Sequence, residues 1–214
     1  MNNIIKIKNY SWRKGDIMEP KELLHNLEEK NRTGHEYSLT DIREITNNIL
    51  SMMSNNYSGR CATPIVKIAK LFDFKTYKES LNESGDININ GETKKKYGHD
   101  KVILVNKSDE LFHQRFVVAH ELAHYLFDFL GNVTYEDKNI LFADTYEKDK
   151  HETPQEQRAN TFAAEIMMPK GLFIQQYNVA RREENNHMFI VMYLSRYFET
   201  SVESIEKRIV EVSK

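Results

Sequence analysis

The segment RFVVAHELAHYLFDFL, residues 115–130, has the apolar density of a buried helix, yet it carries His120, Glu121 and His124 within five positions. A polar group taken out of water is costly unless it is hydrogen-bonded or coordinated. The fold must therefore supply partners for three such groups on one helix. Helical residues four apart share a face, so His120 and His124 point the same way, and two imidazoles so placed can share a tetrahedral metal ion. Glu121 is rotated off that line, where it can act on water beside a metal as a general base instead of binding the metal. The other reading is a pair of hydrogen-bonded core histidines. The segment VVAHELAHYLF is apolar almost all round, which makes an idle pair costly.

The 214 residues, 40% hydrophobic and 29% charged, suffice for one domain with a real core, with or without an appendage. A net charge of −2 offers no general basic surface for nucleic acid or anionic lipid. The single Cys61 cannot form an intramolecular disulfide and has no zinc-finger spacing around it. The N-terminal apolar residues are too few and too interrupted for a signal segment, and no stretch approaches the roughly 20 apolar residues of a membrane span. A cytoplasmic protein with no membrane association is expected.

Residues 1–38 are polar and read as an N-terminal arm of unknown role, with a short strand at IIKIK (residues 4–8). A main domain is expected over 39–214. It opens with a helix at SLTDIREITNNILSMM, where Ser38 and Thr40 are caps and Asp41 lies early. A helix with Ile65, Ile68, Ala69 and Phe72 on one side follows Pro64. FKTYKES, GDININGET and KVILVN then read as strands of a small antiparallel or mixed sheet of about three strands, packed against the histidine helix. That helix is expected over 111–130, capped by Ser108 or Asp109 and stopped by Gly131. Residues 132–152 read as irregular, a lid or substrate-reading loop. A further helix begins at Thr153-Pro154 and ends at Pro169, and HMFIVMYLSRYF and SVESIEKRIVEV supply two more. The fold class is α+β, mainly helical and zincin-like.

A third ligand is available at Glu156, in the first turn of the EQRANTFAAEIMMP helix, although a carboxylate there is also simply favoured by the helix dipole. Asn160 lies one turn further on the same face and can accept the spare N–H of a ligating histidine. Ala159, Ala163 and Ala164 permit close approach of the two helices. Glu165, beside the Met-Met-Pro end, is the alternative ligand. His113 and Asp128 extend the 120/124 stripe. Tyr97, Tyr125 and His151 are further donor candidates, and Met167 and Met168 read as core before pocket.

RFVVAHELAHYLF followed by EQRANTFAAEIMMP resembles the ImmA/IrrE family of metallopeptidases, and the likeness extends over roughly residues 40–212. The first 38 residues have no counterpart in it. The resemblance implies zinc bound by His120, His124 and Glu156, with Glu121 as catalytic base; Mn²⁺ or Fe²⁺ also suit a His₂Glu set. It further implies a narrow-specificity endopeptidase whose partner is a helix-turn-helix repressor, cleaved to derepress stress, phage or mobile-element genes. The alternative is a non-proteolytic module that binds DNA or a repressor through its C-terminal helices, since YLSRYFETSVESIEKRI has a helix, short turn and helix. Glu203, Glu206 and Glu211 on its second helix would repel phosphate, so direct nucleic-acid binding is not expected.

Overall fold

Apolar residues recurring at helical spacing, most runs preceded by a cap or a proline, account for most of the architecture. The computed structural model describes residues 18–53, 62–80, 89–96, 101–131, 140–147 and 153–213. Among them are α1 (Pro20–Arg32), α2 (Leu39–Met52), α3 (Ile65–Leu71), β1 (Phe74–Glu79), β2 (Ile89–Lys96), β3 (Lys101–Asn106), α4 (Leu111–His124), β4 (Ile140–Glu147), α5 (Pro154–Met167), α6 (Lys170–Glu183), α7 (His187–Phe198) and α8 (Val202–Val212). A π turn, Tyr125–Phe129, extends α4. The protein is mainly helical with a small sheet. No described helix is long and apolar enough to cross a membrane.

The caps follow from side-chain chemistry. Ser38 and Asp41 form a reciprocal capping box at the start of α2. Thr153 accepts the Glu156 N–H at the start of α5, whose first position is Pro154. Neither Ser108 nor Asp109 caps α4, which begins after Glu110 without a side-chain cap. Ser108 is turned to the Asn106 amide instead, and Gln114 ties the helix start down by donating to the Asn106 and Asp109 carbonyls.

The sheet has the order β1-β3-β2-β4 and four strands where about three were expected. β1 and β3 run parallel, with Phe74 opposite Lys101, since β2, between them in the chain, runs the opposite way. β2 is antiparallel to both β3 and β4. The additional strand β4 comes from the segment read as irregular. Its residues pair with β2 along their length, so 140–147 are part of the sheet and not a loop.

Two helices depart from the sequence reading. α6 follows Pro169 with no side-chain cap and is held by burial of Leu172, Phe173 and Ala180. α1 lies within the polar arm but buries Leu23 and Leu27, one turn apart, in the main core. The strand expected at residues 4–8 lies outside the described residues, as do Cys61, Tyr97 and His151.

One core joins these layers. Ile49, Ile65, Ile68, Phe72, Ile103, Val117, Leu122, Phe162 and Ile166 are all essentially inaccessible. α4 packs on α5 on one side and on β2 and β3 on the other, which sets the histidine helix at the centre. The start of α3 is pinned there: Thr63 Oγ1 donates to the Ile166 carbonyl (2.8 Å) and Arg115 donates to the Thr63 carbonyl (2.8 Å).

Candidate metal centre

The packing of α4 on α5 brings His120 and His124 to Glu156. One ligand atom from each lies within 4.8 Å of the other two. Glu156 Oε2 is 3.2 Å from His120 Nε2, and Oε1 is 3.4 Å from His124 Nε2. The two Nε2 atoms are 2.9 Å apart. Both histidines are buried, while Glu156 keeps some solvent access. Close approach is possible because Ala159 and Ala163, on the α5 face toward the core, bury no more than a methyl group.

The outer nitrogens fix the tautomers. His120 Nδ1 is 3.0 Å from Asn160 Oδ1, and His124 Nδ1 is 2.7 Å from Asp128 Oδ2. An amide oxygen and a carboxylate only accept, so each Nδ1 donates. Burial lowers the His120 pKa, against the opposing pull of Glu156, which favours the neutral ring. That leaves each Nε2 turned toward Glu156. The histidines beside Glu156, His120 first and then His124, hold its carboxyl well below the usual carboxylate range. Two imidazole nitrogens and a carboxylate oxygen thus converge within 4.8 Å of one another. A divalent cation is what such a donor set fits.

The π turn places Asp128. It spaces the chain so that Leu130 N–H reaches the Tyr125 carbonyl (3.0 Å), five residues back, and single π turns of this kind recur at functional sites. Asp128 Oδ1 is also held by Arg158 of α5. Residue by residue, then, the structure brings together His120, His124, Glu156, Asn160 and Asp128. Glu121 is fully buried in the same turn and stays outside the three-residue cluster.

The remaining candidates lie elsewhere. Glu165 is buried against Arg208 (Oε2 to NH2 2.8 Å) and Arg43 (Oε1 to Nε 2.8 Å), so it is no ligand here. His113 is partly exposed beside Asp109, 3.6 Å away. Tyr125 faces the sheet, where its hydroxyl accepts from Lys101 Nζ (2.8 Å) and its ring meets Phe74 edge-on. Burial pushes the Tyr125 hydroxyl up to about 12. Met167 and Met168 are core residues. Arg158 was not singled out from the sequence. Its signal was a cation two residues after Glu156, on the inner side of a helix, where a carboxylate partner is required.

Residues 82–210, more than half of the chain, match the model of the Peptidase_M78 family, described as an IrrE N-terminal-like domain. No curated protein matches the chain.

Proposed function

Since the chain belongs to the Peptidase_M78 family of IrrE N-terminal-like domains, we propose that it is a zinc-dependent endopeptidase of narrow specificity. His120, His124 and Glu156 hold the metal and Glu121 is the general base. The observation that supports this reading most directly is the convergence of two imidazole nitrogens and a carboxylate oxygen within 4.8 Å. Zinc bound there supplies a Lewis acid that polarises the scissile carbonyl and lowers the pKa of water. Mn²⁺ and Fe²⁺ suit the same donors.

The chain's own groups do the rest. Asn160 and Asp128 hold the rings in the Nδ1–H tautomer and in one orientation. The Glu121 carboxylate takes a proton from the attacking water and returns it to the amide nitrogen as the peptide bond breaks. Its burial keeps bulk water from competing for that proton.

The substrate is proposed to be a cytoplasmic helix-turn-helix repressor. Direct DNA binding by the C-terminal helices has less support. Arg208 of α8 is buried and committed to Glu165, while Glu203 and Glu206 are on the exposed side of that helix.

Glu121→Gln tests the mechanism. The variant is expected to retain about one equivalent of metal by elemental analysis. Cleavage of a repressor substrate should fall by at least ~10²-fold. Undiminished cleavage would remove Glu121 from the mechanism.

A further inference from the structure

α1 lies outside the residues matched to the peptidase family, yet one of its side chains ends on the turn that follows the second histidine. Asn31 Nδ2 donates to the carbonyls of Leu126 (2.9 Å) and Leu130 (2.8 Å). Carbonyls at the end of a helix lack intrahelical donors, so these are groups that need an external one. The other end of the amide is engaged too: Asn31 Oδ1 accepts from the Tyr37 hydroxyl at 2.6 Å. The Tyr37 ring in turn rests on Phe127, within the same turn (centroids 4.7 Å apart).

A second observation is independent of Asn31. Gly131 closes the turn with φ +82°, and a Cβ placed there would meet Glu28 Cγ and the Glu28 carbonyl oxygen at 2.9 Å. α1 therefore seats directly on the backbone that ends the turn, at a spacing that glycine alone allows. Between these two fixed points stands Asp128, 2.7 Å from His124 Nδ1 and clamped from the other side by Arg158. Arg158 shares a helix with Glu156.

We infer that Asn31 is a positioning residue of the metal centre: by holding the π turn against α1 it aims Asp128 at His124. The helix outside the matched region is then a working part of the site. This rests on the metal-binding reading above. The route is Asn31, the Leu126 and Leu130 carbonyls, Asp128, and His124. Outer partners of metal-bound histidines typically contribute 10–100-fold in affinity.

The test uses the full chain, freed of metal, with Co²⁺ as probe. Affinity is read by chelator competition and geometry by the ligand-field spectrum, at a temperature where circular dichroism shows each variant folded. Asn31→Ala and Asp128→Asn are each expected to weaken Co²⁺ binding by about tenfold or more. Their double variant should lose less than the product of the two, because both act through His124. Asn31→Asp keeps the shape but has no N–H to donate; it should match the alanine variant, and it carries the test if that variant does not fold. Folded Asn31 variants that bind Co²⁺ with wild-type affinity and spectrum would overturn the inference, as would losses that multiply. Wild type that takes up no Co²⁺ would instead overturn the metal-centre reading, and this inference with it.

Discussion

Helix α5 carries two inward carboxylates, Glu156 and Glu165, whose surroundings are opposite. Glu156 faces two imidazoles and keeps partial contact with solvent. Glu165 is buried between guanidinium groups of α2 and α8, with Arg208 also donating to the Met168 carbonyl (2.8 Å). Both ionise readily, for different reasons. At Glu156 the imidazoles lower the pKa against burial. At Glu165 burial alone would raise it, but the hydrogen bonds and charge of Arg208, then Arg43, hold it below the ordinary range. A carboxylate whose neighbours are imidazole nitrogens can serve a cation. One whose neighbours are already cations can only brace helices.

The sharpest way to break this contrast is to exchange the losses. Glu156→Ala is expected to lose the metal, by more than the ~10–100-fold attached to an outer partner, while folding normally. Glu165→Gln should keep its metal, as elemental analysis would show, but lose about 3 kcal/mol in denaturant unfolding, because the buried Arg208 and the part-buried Arg43 are left with only Glu211 as counter-charge. Metal loss in the second variant and retention in the first would reverse the assignment.

The acid limb of stability refines it. The folded-state pKa of Glu165 is depressed, so its contribution is present above the unfolded value of about 4.3 and is lost as pH falls through the folded one. Glu165→Gln should therefore flatten the decline in stability below about pH 4. An unchanged acid limb would mean that the pair is not linked to folding. The smallest effect is expected at the exposed Lys207–Glu203 pair (2.8 Å), where Lys207→Ala should cost under about 0.5 kcal/mol.

Much of this was legible in residues 115–130 and 153–169. Two histidines four apart on an apolar helix require a shared partner, and Thr153-Pro154 announces the helix that brings Glu156. Local rules also found α2, α3, β1, β3, α7 and α8, since each has its own cap or periodicity. The rest depended on distant contacts. α6 has weak local signals and exists because Leu172 and Phe173 are buried by other elements. β4 forms only because β2 offers an edge. α1 is polar on average, but its Leu23 and Leu27 find a core made by residues far along the chain.

The sequence by itself determined the donor types, their helical spacing and the order of the two helices that carry them. These follow from covalent order and the 3.6-residue repeat, which no partner can alter. Only the tertiary structure decided which carboxylate faces the histidines. Glu156 and Glu165 share a helix, and choosing between them required knowing that Arg43 and Arg208 occupy one end of it. The same holds for the π turn and the Asn31 amide that meets its carbonyls. Hydrogen bonds between residues nearly a hundred positions apart leave no periodicity to read, because their geometry exists only once the chain has closed upon itself.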